Sequence, residues 1–163
     1  MSRRGVPLLV LLFPLLAAVA CGAERLTVDS ESMEPTFRKG QSITVRSVDD
    51  GYRPKVGDVI VFRRPAGWGG DPEVLQVSRV IGPPGSAVAC CEREQVTVNG
   101  EPLAEPYLAG RSASGNKFGV QVPAGQVWVM SDNRDVALDS RAHQDAPGRG
   151  AVPLSDVVGV VAP

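Results

Sequence analysis

Side chains that carry proton or metal chemistry near neutral pH are scarce in this chain. Its 163 residues include one His, three Lys and three Cys, two of which are adjacent. One imidazole and a pair of neighbouring thiols are too few for a typical zinc site, so we expect no metal and no other cofactor. An excess of charge is also missing, since 17 Lys and Arg balance 18 Asp and Glu. Such a chain has no basic surface for phosphates, which argues against nucleic acid as its main partner.

Long amphipathic stretches are absent as well, and no segment has the periodicity of a helix of three turns. The 18 Gly and 14 Pro residues favour short strands joined by many turns. Short runs rich in Val and Ile, separated by Gly, Pro and Asn-Gly turn signals, are typical of such strands. We therefore predict an all-β fold with strands at Ser42–Val45, Asp58–Phe62, Val74–Ile81, Val96–Val98, Val127–Met130 and Val157–Val161.

The N-terminus carries the one long apolar run. Arg3 and Arg4 precede an uncharged stretch from Val6 to Cys21, which is typical of an export or anchoring segment. As a helix this stretch would span about 24 Å, short of a hydrocarbon core of ~30 Å, so a permanent span is marginal. We predict that residues 1–23 form the targeting segment and residues 24–163 form one domain.

Three fates of this segment stay open. Ala18-Val19-Ala20-Cys21 resembles the lipobox of bacterial lipoproteins, with Cys21 as the lipidated residue. The same stretch contains the small-x-small form of an ordinary cleavage site, which would give a secreted protein. Without cleavage, the segment would remain as a membrane anchor. Since Arg3 and Arg4 favour a cytoplasmic N-terminus, each fate places the domain outside the cytoplasm.

Cys90 and Cys91 are adjacent in the sequence, which bears on whether they pair. An exporting compartment favours disulfides. Neighbouring Cα atoms, however, lie ~3.8 Å apart, below the usual ~4.4–6.8 Å of a bridged pair. We therefore expect two unbridged side chains, one facing inward and one facing outward on a strand.

A polar segment near the start of the domain needs a chemical explanation: Ser30-Glu31-Ser32-Met33-Glu34-Pro35-Thr36. A Ser hydroxyl becomes a nucleophile when a base removes its proton and hydrogen-bond donors stabilise the oxyanion. A second Ser two residues away could be one of those donors. Ser and Pro are also common in turns, so a polar turn explains the segment taken alone.

This segment and five others, taken in chain order, resemble segments of a known family. They are Ser30–Phe37, Gly57–Phe62, Ser78–Gly85, Val96–Leu108, Val122–Met130 and Ser131–Arg141. With them, the chain from about Leu26 to Val161 resembles the bacterial type I signal peptidases, membrane-anchored serine endopeptidases that remove signal peptides from exported proteins. The resemblance implies the family's fold of coiled antiparallel sheets.

The resemblance also implies roles for individual residues. Ser32 matches the family's nucleophile, and the Ser30 hydroxyl would join the Ser32 backbone N–H in the oxyanion hole. Two charged pairs match those that brace the family's site, namely Arg79 with Asp132 and Asp139 with Arg141.

Substrate binding in the family uses a groove along strand edges, with shallow apolar pockets for small side chains. We expect Met33, Val74 and Val77 to line that groove here. Val80, on the same strand, is expected to face the core instead. The expected partner is an extended peptide or preprotein.

The chain departs from the family where proton transfer should occur. The family has a Lys directly before the Arg of this strand, where burial lowers the pKa of the amine so that it can deprotonate the nucleophile. That residue is Ser78 here, and the family's orienting Ser corresponds to Ala137. Ser131 replaces the Gly that usually precedes Asp132. Base and orienter are replaced together, which indicates a dismantled or rebuilt dyad.

Other groups are poor substitutes for that base. Lys39 and Lys55 lie in turn contexts where exposure would keep their amines protonated, and Lys117 lies in a connection between strands. His143 has an ordinary pKa of about 6.5 but lies in a loop, where we expect a solvated surface side chain. Ser78 itself could relay a proton through water at a low rate.

Three functions stay open at this point. The first is a signal-peptidase-like serine endopeptidase outside the membrane, with Ser32 as nucleophile and Ser30 in the oxyanion hole. The second is a pseudoprotease of low or no activity that binds peptides or a partner protein in the same groove. The third is an exported β lipoprotein with an unrelated role. The first two differ in whether a base lies near the Ser32 hydroxyl.

Overall fold

The computed structural model describes residues 23–92 and 94–162. The described part is built of strands, turns and 3-10 helices of at most four residues, which confirms the all-β class. The strands are β1 Ala23–Thr27, β2 Ser42–Ser47, β3 Val59–Arg63, β4 Leu75–Gly82, β5 Ala87–Glu92, β6 Gln95–Val98, β7 Glu101–Pro102, β8 Phe118–Gln121, β9 Gln126–Met130, β10 Val152–Pro153 and β11 Val157–Val161.

Two antiparallel sheets form the domain. The larger sheet has the strand order β1-β2-β11-β3-β4-β9-β10, and the smaller has the order β7-β6-β5-β8. Alternate residues of β9 pack into different cores: Trp128 and Met130 join the cluster under the smaller sheet, while Val127 and Val129 join a cluster with Ile60 on the opposite face. Since both faces of β9 are buried, its sequence is an unbroken apolar run rather than an alternating one.

Among the described residues, no helix is long and apolar enough to cross a membrane. The apolar stretch from Val6 to Cys21, with the predicted lipidation site, lies outside the described residues.

The adjacent cysteines differ from our expectation. Cys90 and Cys91 form a disulfide, so the expectation of two unbridged side chains was wrong. It assumed the ~3.8 Å spacing of a trans peptide, whereas the peptide between them is cis and their Cα atoms are 3.0 Å apart. Cys90 is buried in the core beneath the smaller sheet, and Cys91 packs against the same core.

Candidate active site

The predicted nucleophile Ser32 lies in a tight turn shortly after β1. A hydrogen bond of 3.1 Å from the Glu34 N–H to the Glu31 carbonyl closes the turn around it. The Oγ atoms of Ser30 and Ser32 are 3.0 Å apart, within hydrogen-bond distance. Ser30 is exposed and Ser32 is half-buried, so the two predicted residues meet at the surface as one pair of hydroxyls.

Asp132 connects this turn to the larger sheet. Its buried carboxylate accepts two hydrogen bonds from Arg79, at 2.8 Å from Nε and 2.6 Å from Nη2. Thr36, four residues after Ser32, donates its hydroxyl to the same carboxylate. A two-pronged guanidinium bond is both strong and directional, so the predicted Arg79–Asp132 pair fixes the Ser32 segment against β4.

Ser78, the residue at the position of the family's base, bonds to a second hydroxyl. In the pairing of β4 with β9, Arg79 lies opposite Met130, so the antiparallel register brings Ser78 next to Ser131. Their Oγ atoms are 2.9 Å apart, and both side chains are buried. From the sequence, Ser131 was recognised only as a substitute for Gly. The register of β4 with β9 is what reveals the pair.

Asp139 is the second predicted acidic residue of the site. Its carboxylate accepts the Ser131 N–H at 2.9 Å and the Arg141 N–H at 3.1 Å. The Arg141 guanidinium donates two further bonds to it, both of 2.8 Å. Four donors thus occupy this carboxylate, and Asp139 positions the backbone N–H of Ser131.

Arg134 is a site residue that sequence reasoning missed. It is 4% exposed, and its Nε donates to the Ser131 carbonyl at 2.9 Å. Its Nη2 lies 2.6 Å from a carboxylate oxygen of Glu105. Because Asp139 and Arg134 bind the two sides of Ser131, the end of β9 is fixed beside Ser78. A charged residue two positions after Asp132, within Ser131-Asp132-Asn133-Arg134-Asp135, was the available signal.

A cavity of about 310 Å³ opens beside the two serine pairs. Its polar lining includes Ser30, Ser32, Ser78 and Ser131. Apolar side chains make up half of its lining, namely Val28, Phe62, Trp68, Val74, Leu75, Val77, Val136 and Leu138. The structure therefore places the predicted nucleophile Ser32, the predicted oxyanion donor Ser30 and the buried Ser78 around one cavity.

The residues predicted to line a groove divide into two groups. Val74 and Val77 line the cavity. Met33 does not line it, because its side chain is fully buried, at 0% exposed; the expectation for Met33 is corrected accordingly. The polar turn around Ser32 turns this large apolar side chain into the core. Val80 is also in the core, at 0% exposed, as expected.

No lysine amine lies in the lining of this cavity. Lys39, Lys55 and Lys117 are all exposed, and none of the three lines it. Charged groups in the lining are limited to Asp29, Arg64 and the fully bonded Asp139. Among the described residues, no group of three or more His, Cys, Asp or Glu is arranged to hold a metal ion.

His143 is half-buried rather than a freely solvated surface residue, which corrects our expectation for it. Its ring stacks on the cavity residue Trp68, with centroids 4.2 Å apart and planes inclined by 15°. Burial lowers the pKa of His143, an effect that the carboxylate of Asp139 opposes and the charge of Arg64 reinforces. His143 does not itself line the cavity.

A family model described as "Signal peptidase, peptidase S26" matches residues 2–163. The chain belongs to this family. It is 36% identical to Signal peptidase I of Mycobacterium tuberculosis over 181 aligned residues, covering 81% of this chain and 61% of the relative. It is 32% identical to Signal peptidase I of Bacillus amyloliquefaciens, covering 83% of this chain and 70% of the relative. The chain thus spans about three fifths of the length of the mycobacterial relative.

A solved structure of the same family supports the fold. The crystal structure of a signal peptidase I from Enterococcus faecalis aligns with a TM-score of 0.53 at 28% identity, covering 68% of this chain and 98% of that one. The signal peptidase family therefore accounts for the coiled antiparallel sheets. Within that fold, the hydroxyls of Ser78 and Ser131 are hydrogen-bonded to each other.

Proposed function

We propose that the domain is a signal-peptidase-type serine endopeptidase of low turnover, which binds an extended segment of an exported preprotein beside Ser32. The observation that supports this proposal is the pair of hydroxyls, Ser30 and Ser32, on the wall of one cavity whose lining is half apolar. In this proposal, residues 24–163 form the peptide-binding domain outside the cytoplasm. Residues 1–23 attach it to the membrane as an anchor or through lipidation of Cys21, or are removed to release it.

The edge of β4 supports an extended binding mode. On one side, β4 pairs with β3 from Leu75 to Arg79. On its other side, the described pairing with β9 begins only at Arg79, which leaves the backbone of Leu75–Ser78 available to a further strand. These four residues line the cavity. A peptide that adds to this edge would gain main-chain hydrogen bonds and pass beside Ser32.

Bond cleavage would follow the acyl-enzyme route. The Ser32 Oγ would add to the scissile carbonyl carbon while its proton passes, through water at Ser78, to the amide nitrogen. The C–N bond then breaks, which releases the amine and leaves an ester on Ser32. The oxyanion is stabilised by the Ser32 N–H and the Ser30 hydroxyl. Water then hydrolyses the ester, which releases the new carboxylate and restores the Ser32 hydroxyl.

Low turnover follows from the groups around the nucleophile. A hydroxyl pair has no basic nitrogen, and Asp139 already accepts four hydrogen bonds. An effective general base contributes about 10²–10⁴-fold to such a reaction. We therefore expect cleavage that is slower by this factor than in a site with a neutral amine.

A second candidate is a peptide-binding protein without turnover. It is favoured by the Ser78–Ser131 hydrogen bond, because the two buried hydroxyls bond to each other and neither carries a basic nitrogen that could deprotonate Ser32. The binding edge of β4 and the apolar lining would remain useful to such a protein.

Ser32→Ala separates these candidates. The full-length parent and the variant would be incubated with a fluorescent peptide carrying a small-x-small site, with cleavage followed by mass spectrometry and binding by anisotropy. We expect slow cleavage by the parent, none by the variant and similar binding by both. Ser155→Ala, an exposed serine outside the cavity, is the matched control. Binding without cleavage by the parent would favour the second candidate. Absence of both binding and cleavage would contradict both candidate functions.

A further inference from the structure

Asn133 makes two hydrogen bonds to consecutive carbonyls of the Ser32 turn. Its side-chain Nδ2 donates to the Glu31 carbonyl at 3.1 Å, and its backbone N–H donates to the Ser32 carbonyl at 2.8 Å. Asn133 is 7% exposed. The two carbonyls belong to the peptide units on either side of the Ser32 Cα, so a single residue contacts both.

These contacts fix the direction of a particular N–H group. In a planar trans peptide, the carbonyl and the following N–H point in opposite directions. The Glu31 carbonyl, which accepts from both Asn133 and Glu34, therefore directs the Ser32 N–H away from Asn133. Within the described residues, that N–H donates no hydrogen bond of its own, which leaves it available to a ligand.

Arg111 controls which way the Asn133 amide faces. Its Nη1 donates to the Asn133 Oδ1 at 2.8 Å. A guanidinium has donors only, so it selects the amide orientation in which oxygen faces Arg111 and Nδ2 faces Glu31. Arg111 is exposed and lies in the loop between β7 and β8, outside the segment that carries Asp132.

We propose that Asn133, oriented by Arg111, is the positioning residue that aims the Ser32 backbone N–H at the oxyanion of the reaction. This inference rests on the proposed function, because it assigns the N–H to that reaction. Asn133 touches neither the peptide nor the reacting oxygen; it acts through the Glu31–Ser32 peptide unit.

Asn133→Asp is the sharpest kinetic test. The substitution preserves shape, the backbone bond to Ser32 and the acceptor for Arg111, but it replaces the donor to Glu31 with an oxygen. We expect kcat to fall about ten- to a hundredfold with KM within about twofold, since small misplacements of reacting groups cost up to ~10²-fold. Arg111→Ala should lower kcat in the same direction by a smaller factor, and its exposed position makes misfolding a minor concern. Arg46→Ala, an exposed arginine on β2, is the control expected to change neither parameter.

The Ser32 amide provides a readout that does not depend on turnover. In the full-length protein, we expect Asn133→Asp and Arg111→Ala to shift the Ser32 amide resonance, while Arg46→Ala leaves it as in the parent. An unmoved Ser32 amide in the first two variants would overturn the positioning role, whatever happens to kcat. If the parent itself fails to cleave, the proposed function fails, yet a moved Ser32 amide would still support the geometry assigned to Asn133 and Arg111.

Discussion

At the scale of single residues, the site contains a hydrogen-bonded pair of hydroxyls, those of Ser78 and Ser131. The Oγ atoms of Ser78 and Ser131 are 2.9 Å apart in a buried position. A hydrogen-bonded pair of neutral hydroxyls avoids the cost of burying a charge. The pair therefore joins β4 to the end of β9 without placing a basic nitrogen there.

Ser78→Ala should expose the cost of separating this pair. The Ser131 hydroxyl would stay buried without its partner, so we expect the free energy of unfolding to fall by about 1–3 kcal/mol. Ser78→Ala/Ser131→Ala should fall by less than the sum of the two single changes, with a coupling of about 1 kcal/mol. Urea unfolding of the four proteins measures this cycle. Strict additivity would show that the two hydroxyls do not stabilise each other.

At the scale of elements, the loop between Asn133 and Asp139 forms one wall of the cavity. It displays Val136, 55% exposed, and Leu138, 73% exposed. Val74 and Leu75, also exposed, line the same cavity from the start of β4. Apolar side chains left in water around a cavity mark a surface that a ligand covers, so this loop is expected to contact the bound peptide.

Leu138→Ser tests the contribution of that loop. The Kd for a small-x-small peptide should rise about fivefold, because a partly covered apolar side chain is worth about 1 kcal/mol. The free energy of unfolding should change by less than about 0.5 kcal/mol, since Leu138 is mostly exposed. Val56→Ser is the matched control, because Val56 is 41% exposed and lies outside the cavity. Anisotropy titrations and urea unfolding give the two values. Equal Kd values for parent and Leu138→Ser would contradict the role of the loop.

The sequence predicts a strand reliably where its side chains form a run of Val and Ile. Runs of Val and Ile identified six strands, β2, β3, β4, β6, β9 and β11, since these residues suit a pleated, buried surface. β5 was missed because Ala87–Glu92 contains small residues and two cysteines with little strand signal. β8, Phe118–Gln121, was missed because it is short and contains a glycine.

The same limit applies to predicting the candidate site from the sequence. Ser30, Ser32, Arg79 and Asp132 could be placed from local motifs and family resemblance. The Ser78–Ser131 bond depends on strand register, and the Asn133 contacts depend on how two distant loops meet. Neither feature has a local sequence pattern, so both required the structure.

At the scale of the whole molecule, buried charges connect the two sheets around the site. The Arg79 guanidinium, paired with Asp132, lies 4.0 Å from the ring centroid of Tyr107. The Tyr107 hydroxyl donates to Glu105 at 2.8 Å, and Glu105 pairs with Arg134. This network runs from the larger sheet to the connection after β7. It supports the framework of the site, so we expect the framework to accept an amine at position 78.

Restoring the family's residues at these positions tests most directly whether the framework accepts a base. Ser78→Lys, combined with Ser131→Gly and Ala137→Ser, would place an amine in a buried position where desolvation lowers its pKa. We expect this triple variant, compared at full length with the parent, to cleave a small-x-small peptide at least about 100-fold faster. Adding Ser32→Ala to it should abolish the gain. A folded triple variant that cleaves no faster than the parent would contradict the conclusion that Ser78 occupies the position of the missing base.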